Sequence, residues 1–497
     1  MRPQAPVRGR RTWEIEVPEV VFPDIPLYQG WTAPLRIESD LKDLELIQGS
    51  VPKDLNGTLY RCGPDRQYPS MFKDDVFIDG EGMAVMFRFE DGHVDFKSRW
   101  VRNERFKLQE EARRSLFGRY RNRYTDDPSV AGKDRGTSNT NMLFHAGKLL
   151  SLKEDHLPHE MDPDTLETLG RYDYEGRVKA VSMTAHPKVD MVTSELMTFS
   201  YQARGDGTTD VVFYTFDADG QITQETWFHA PYPGMVHDFG VSQTHVVFPF
   251  YPLITDVDVI KQGGPFYQWQ EDQPTMFAVL PRGGTAEDIR WFKGPALSAG
   301  HVMNTVTEGT KVHFDTCLYD GNCFSFFPRP DGTETDPVPP ILTRITFDLA
   351  RNDDSFARSR LCPVPGEMPR TDDRYQGRPY RHGFMLCRSQ DGSAGIGQID
   401  VQTGAFKMWK PGAEMTVQEP QFVPRTPDSP EGDGYLLVIV NRLAEGRSDL
   451  VVLDATKIEA GPLATLKLPV RVRMTFHGMW VPAETFKTGR YDMSAAA

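Results

Sequence analysis

Ionisable side chains crowd into one short run of the 497-residue chain, Lys153-Glu154-Asp155-His156-Leu157-Pro158-His159-Glu160, directly after the apolar pair Leu149-Leu150. Two histidines at short spacing with carboxylates beside them form a pattern that could hold a metal ion. Four further histidines lie far apart in distinctive surroundings. They are His186 in Thr184-Ala185-His186-Pro187-Lys188, His237 in Met235-Val236-His237-Asp238-Phe239-Gly240, His301 in Gly300-His301-Val302-Met303-Asn304, and His477 in Phe476-His477-Gly478-Met479-Trp480. Isolated histidines such as His93, His145 and His229 read as surface or core residues satisfied by their neighbours. The five cysteines (Cys62, Cys317, Cys323, Cys362, Cys387) are widely spread with no C-x-x-C pair, which fits reduced packing thiols rather than a zinc or iron–sulfur site.

The elements that must position these residues are mostly strands. Short β-rich runs recur from about Leu35 between Gly, Asp and Pro turns, as in Met83–Phe89 before Glu90-Asp91-Gly92, and Val211–Phe216 before Asp217-Ala218-Asp219-Gly220. Many short strands at regular spacing imply a sandwich, barrel or propeller, and a sandwich alone is too small for this length. One stretch differs: Asn103 to about Tyr120 carries Phe106, Leu108, Ala112, Leu116 and Phe117 among charges, the pattern of an amphipathic helix capped by Asn103.

Composition narrows the function. Hydrophobic content is 39% and charged content 25%, ordinary for a soluble globular protein, and no apolar run approaches the ~20 residues of a spanning helix. A net charge of -14 argues against nucleic acid as a partner and leaves a small molecule. The basic N-terminus (Arg2, Arg8, Arg10, Arg11) lacks the apolar stretch of a secretory signal, so a cytoplasmic location without membrane association is expected, and a homodimer is left open.

At the four histidine motifs the sequence resembles the carotenoid cleavage oxygenase family, from about Leu35 to Trp480. The likeness extends to Gly57-Thr58-Leu59-Tyr60-Arg61-Cys62-Gly63-Pro64, Phe77-Ile78-Asp79-Gly80-Glu81-Gly82-Met83 and Glu419-Pro420-Gln421-Phe422-Val423-Pro424. The resemblance implies an all-β, seven-bladed β-propeller, with helices and loops capping the face that holds a non-haem Fe(II). His186, His237, His301 and His477 would be its ligands, with Glu154, Glu367 and Glu419 accepting from the other ring nitrogens of three of them. Taken in order, Glu154, His186, His237, His301, Glu367, Glu419 and His477 lie at intervals of 32, 51, 64, 66, 52 and 58 residues, close to one per blade apart from the first. In this scheme residues 1–34 are an N-terminal extension, docked in part through Trp13 and Trp31, 35–485 the single propeller domain and 486–497 a C-terminal tail. His156 and His159 become loop residues near the rim. Asp238 either supports its local turn or orients a ligand, and Val306 and Thr307 are expected to border the cavity.

Within the family, Lys153 and Tyr120 match the pair by which stilbene-cleaving members bind a 4-hydroxyl, so the sequence resembles the lignostilbene dioxygenase and isoeugenol oxygenase branch. The implied reaction is cleavage of the C=C bond of a 4-hydroxyphenyl alkene with O2 as co-substrate, giving aldehydes such as vanillin. Tyr120 and Lys153 would serve as catalytic and substrate-binding residues, Phe324 of Phe324-Ser325-Phe326-Phe327-Pro328 would line the pocket, and no organic cofactor would be needed. Three alternatives stand beside it: a carotenoid or apocarotenoid oxygenase with a long apolar tunnel, a non-catalytic propeller that binds a partner, and a zinc hydrolase. The last is disfavoured because four histidines leave no general-base carboxylate at the metal.

Overall fold

In the computed structural model, residues 20–495 are described, and their strands form seven antiparallel sheets arranged as the blades of a β-propeller. Trp13 and the side chain of Trp31 lie outside the described residues. Burial follows position in the blade. All nine residues of Gly57–Asp65 are buried, because a neighbouring blade covers each face, whereas His93–Trp100 alternates buried and accessible residues as an outer strand does. The hairpin between Glu81–Glu90 and His93–Trp100 turns on Asp91 and Gly92 alone, both at positive φ (47° and 84°). That is the tight two-residue turn whose twist matches the strands. Aromatic rings fill the space between blades, as where Phe199 meets Phe239 at 4.7 Å and Phe248 at 5.5 Å.

Two strand pairings close the ring. Glu45–Gly49, near the N-terminus, pairs with Pro462–Lys467, and the C-terminal strand His477–Pro482 pairs with Gly57–Asp65, setting His477 opposite Cys62. An early strand is thus bound to the last blade and the last strand to the first blade, so neither end of the circle is an open edge. Beyond it, Tyr491 is buried, its N–H donating to Ser194 Oγ at 2.9 Å and its hydroxyl to the Phe144 carbonyl at 3.0 Å.

Long connections cover one face of the ring. The helix expected to reach Tyr120 is only Glu104–Ala112: Asn103 caps it by accepting from Phe106 N–H, but Arg113 adopts a left-handed conformation (φ 53°) and ends it. Leu116 and Phe117 are buried in the irregular segment that follows. The helix is anchored by charge as much as by apolar contact, since buried Arg105 pairs with Asp79 at 3.3 Å and Glu81 at 3.2 Å. Among the described residues no helix is long and apolar enough to cross a membrane.

Candidate metal centre and substrate pocket

The propeller axis gathers one residue from the innermost part of each of several blades. His186 lies just before the short strand Lys188–Val189, His237 follows Gly234–Met235, His301 sits on Ser298–Glu308, and His477 opens His477–Pro482. One nitrogen from each lies within 4.8 Å of the other three. His186 Nε2 is 3.2 Å from His237 Nε2, which is 3.3 Å from His301 Nε2. A metal–imidazole bond of about 2.1 Å puts adjacent donor atoms roughly 3 Å apart, so the cluster fits a single ion. Four nitrogen donors with no carboxylate oxygen among them suit a late divalent transition metal rather than calcium or magnesium.

Burial favours the neutral, ligating form of His186 and His477, and hydrogen bonds orient three of the four rings. Burial holds the His186 imidazole well below its usual range, with further lowering from the three neighbouring rings, and burial likewise brings His477 down to about 4. His301 goes the other way: burial pulls it down, but the charge and hydrogen bond of Glu367 outweigh that and raise it. Three carboxylates accept from the rings, Glu154 Oε2 from His237 Nδ1 at 2.8 Å, Glu367 Oε2 from His301 Nδ1 at 2.7 Å and Glu419 Oε1 from His477 Nδ1 at 2.8 Å. This leaves the Nε2 of each of these three rings facing the centre with its lone pair. No carboxylate of the described residues accepts from His186. Burial opposes ionisation of Glu154 and Glu419, yet His237 with Arg121 and Lys153, and His477 with Arg61 and Arg370, hold both carboxyls down at about 2.

Glu154 leaves the end of the second strand of its blade, Lys148–Leu152, and not the inner strand Asn141–His145, which is why the first interval in the sequence is short. Each carboxylate has a further donor: Tyr201 Oη to Glu154 Oε1 at 2.9 Å, Tyr319 Oη to Glu367 Oε1 at 3.2 Å, and Arg61 Nη1 to Glu419 Oε2 at 2.7 Å. Sequence reasoning assigned no role to these three. The tyrosines carry no local signal, but Arg61 does: an arginine between Leu59-Tyr60 and Cys62-Gly63 in a β-rich run calls for a buried anion. Asp238 supports its local turn and also reaches the neighbouring strand. Its Oδ1 accepts from Lys188 Nζ at 2.7 Å and Phe239 N–H at 2.8 Å, while Oδ2 accepts from Val302 N–H at 2.8 Å, tying the turn after His237 to the strand that bears His301.

A cavity of about 160 Å³ opens onto His237, His301 and His477 from the capped face. Phe77, Ile78, Met235, Phe324, Phe327 and Phe476 make most of its wall apolar. Phe324 meets the His237 ring edge-on at 5.5 Å. Tyr120 and Lys153 are the polar exceptions opposite the imidazoles. Both are buried, at 5% and 4% exposure, and Lys153 Nζ lies 5.1 Å above the Tyr120 ring. Neither the ammonium nor the Tyr120 hydroxyl has a hydrogen-bond partner among the described residues, although both residues line the cavity. Burial pushes the Tyr120 hydroxyl well above its usual pKa, with the Glu154 charge adding to the shift, so it remains a proton donor. Lys153 can face the cavity while Glu154 faces His237 because the strand ends at Leu152 and the next residues turn.

Two expectations require correction. His156 and His159 are absent from the metal cluster, but neither is an exposed rim residue: His156 does lie on a loop, between Lys148–Leu152 and His159–Met161, yet is buried there, and His159 is not on a loop. Both are 4% exposed, His159 begins the strand His159–Met161, and their rings meet at 5.4 Å around Ser138, whose N–H donates to His156 Nε2 and whose hydroxyl bonds His159 Nδ1 at 2.8 Å. Proximity to Glu154 in sequence places them one layer out, inside the blade. Val306 and Thr307 do not border the cavity: Val306 packs among Met303, Cys317 and Met385, and Thr307 Oγ1 bonds Ser242 Oγ at 2.7 Å.

Comparison with known proteins agrees with this arrangement. The sequence pattern of the family described as retinal pigment epithelial membrane protein matches residues 32–482. The protein is 44% identical over 472 residues to isoeugenol monooxygenase of Pseudomonas nitroreducens, covering 92% of this chain and 98% of that protein. It is 43% identical over 481 residues to lignostilbene-alpha,beta-dioxygenase isozyme III of Sphingomonas paucimobilis, covering 93% and 98%. The crystal structure of Pseudomonas brassicacearum lignostilbene dioxygenase superposes with a TM-score of 0.91 at 43% identity, covering 94% of this chain and 100% of that one. Cobalt-substituted Synechocystis ACO superposes at 0.80 with 26% identity, covering 90% and 97%. With a match over most of its length, an axial four-histidine cluster and a seven-bladed ring, the chain belongs to the retinal pigment epithelial membrane protein family, the carotenoid oxygenases.

Proposed function

We propose that this protein is a cytoplasmic, iron(II)-dependent oxygenase that splits the alkene C=C bond of 4-hydroxyphenyl alkenes with O2, yielding two carbonyl compounds, one of them an aromatic aldehyde. The observation that carries the reading is the pair Lys153 and Tyr120: a buried ammonium and a buried hydroxyl, both without a hydrogen-bond partner among the described residues, in an apolar cavity that opens onto the histidine cluster. An unpaired buried cation is costly, and a phenolic oxygen that accepts from both groups removes that cost. The relatives named for isoeugenol and lignostilbene support the same substrate class. Its working unit is the propeller of residues 35–485, with residues 1–34 as an extension and 486–497 as a tail.

His186, His237, His301 and His477 would hold the iron, and iron(II) on four neutral imidazoles supplies the activation of dioxygen. The protein's own residues do the rest. Tyr120 and Lys153 donate to the substrate's 4-oxygen and stabilise its phenolate, whose electron density is conjugated into the para alkene. Phe324 and the other aromatic walls lay the flat substrate beside the imidazoles and exclude water. Glu154, Glu367 and Glu419 keep their imidazoles in the tautomer whose Nε2 faces inward. The test is anaerobic reconstitution with iron(II), then product analysis on 4-hydroxystilbene, its 4-methoxy analogue and isoeugenol. Aldehyde from the hydroxylated compounds alone is expected, and 4-hydroxybenzaldehyde against vanillin as the better product distinguishes two-ring from one-ring substrates. Equal turnover of the methoxy analogue removes phenolate activation, and failure to take up iron removes the enzyme reading.

A further inference from the structure

Two sequence pairs, Tyr120-Arg121 and Lys153-Glu154, are built alike. The first member of each lines the cavity, and the second belongs to a buried polar network, which reaches the cavity wall at Glu154. Arg121 Nη1 donates to Tyr201 Oη at 2.9 Å and Tyr267 Oη at 2.8 Å, and the two hydroxyls are 2.7 Å apart. Tyr201 in turn donates to Glu154 Oε1, whose Oε2 receives His237 Nδ1. Arg121 itself is 3.8 Å from that carboxylate.

Proton counting fixes the direction of every bond. A guanidinium only donates and an ionised carboxylate only accepts. Tyr201 must therefore give its proton to Glu154, and accept from both Arg121 and Tyr267, which itself accepts from Arg121. No member can rotate its proton elsewhere without leaving a buried group unpaired, so the network has one arrangement. The backbone is set with equal care. Arg121 is at φ 54°, a left-handed conformation that a side chain adopts at a cost, and Asn122 locks it by donating to the carbonyls of Ile260 at 2.9 Å and Gly264 at 2.8 Å. Phe266 covers the guanidinium at 4.2 Å, and Arg121 Nε is left buried without an acceptor among the described residues. A residue serving only to fill space would not carry a strained backbone, a charge and an unsatisfied N–H.

We infer that Arg121 is a positioning residue for the metal centre: through Tyr201 and Tyr267 it fixes Glu154 against His237, and through its own backbone it joins Tyr120 to that same rigid unit. The second half rests on the proposed phenol-binding role of Tyr120, and the first half does not.

The experiment compares Arg121→Met, Tyr201→Phe and a remote control, Arg344→Met, which breaks the pairing with Asp315 at 2.8 Å on another blade. At matched iron content, the electron paramagnetic resonance spectrum of the iron(II) nitric oxide adduct reads the ligand arrangement, and anaerobic binding of 4-hydroxystilbene against its 4-methoxy analogue reads the phenol site. Arg121→Met and Tyr201→Phe are expected to change the spectrum, and Arg344→Met to leave it as in the unmodified protein. Arg121→Met is also expected to lower the hydroxy-to-methoxy affinity ratio about tenfold. An unchanged spectrum in Arg121→Met overturns the inference. If that variant does not fold, Tyr267→Phe, which removes one hydroxyl and keeps the ring, carries the same expectation. Failure of either stilbene to bind the unmodified protein refutes the substrate reading alone, because the spectrum still decides the action on His237.

Discussion

Replacing Glu419 with Gln separates two tasks that one carboxylate performs. Its Oε1 accepts from His477 Nδ1, and its Oε2 pairs with Arg61 Nη1 at 2.7 Å, with side chains only 2% and 1% exposed. Breaking a buried pair by neutralising one partner costs about 3–5 kcal/mol, because the remaining charge stays buried. Arg61 retains Thr475 Oγ1 at 3.1 Å and the Phe476 carbonyl at 2.9 Å, which places the expected loss at the low end, about 3 kcal/mol. The glutamine oxygen can still accept from His477, but without a charge opposite it the imidazole is a poorer ligand, and metal affinity should fall about 10- to 100-fold. Stability is read from urea unfolding of the metal-free protein and affinity from competition with a chelator. Adding Arg61→Met removes the orphan charge, so the double variant should recover to within about 1 kcal/mol of the unmodified protein while its metal affinity stays low. Equal instability of the single and double variants, or recovery of metal affinity together with stability, would refute this division of labour.

On the proposed function, Lys153→Met removes an ammonium that would donate to the substrate's phenolate oxygen, a bond worth about 1.5–3 kcal/mol. The expected consequence is a roughly 10- to 150-fold fall in kcat/KM on 4-hydroxystilbene, with anaerobic binding of its 4-methoxy analogue little changed; equal losses of affinity for both compounds would mean that the lysine supports the fold instead. Phe324→Ala should change the ranking of stilbene and alkenylphenol substrates at constant iron content, and iron loss without a change in ranking would assign the ring to packing. His145, 3% exposed, donates from Nε2 to the Ser194 carbonyl at 3.0 Å and is held by burial at about 4, below its usual 6.5. The unfolded state takes up this proton first as pH falls, so the associated stability is complete above about 6.5 and lost progressively down to about 4. Unfolding midpoints of His145→Gln should show a shallower fall across that window, and an unchanged slope would remove His145 from the acid response.

The site was legible wherever a residue type was unusual for its place, and obscure wherever its meaning came from across the ring. Histidines beside Gly, Pro or Asp stand out in their runs, whereas Glu154, Glu367 and Glu419 were marked only by the family resemblance, and hairpins such as Asp91-Gly92 announce the strands on either side. Tyr201 and Tyr267 sit in aromatic strands and loops where a tyrosine is unremarkable, and only the fold brings them to Glu154. Local crowding also misled: His156 and His159 look more metal-like than His186, yet the path of the blade turns them into its interior. The helix after Asn103 has apolar residues at helical spacing beyond Ala112, but Arg113 turns left-handed and Leu116 and Phe117 find their burial without helix.

The strand that closes the ring also carries His477. During synthesis the protein emerges from its N-terminus, so His186, His237 and His301 are available long before the final imidazole, and the first blade waits without its innermost strand for almost the whole length of translation. Ring closure and completion of the metal cluster are consequently one event, which cannot precede the emergence of His477. A nascent polypeptide truncated before His477 should hold a metal only through three mobile histidines, and premature release should leave a protein with neither a closed ring nor an assembled centre.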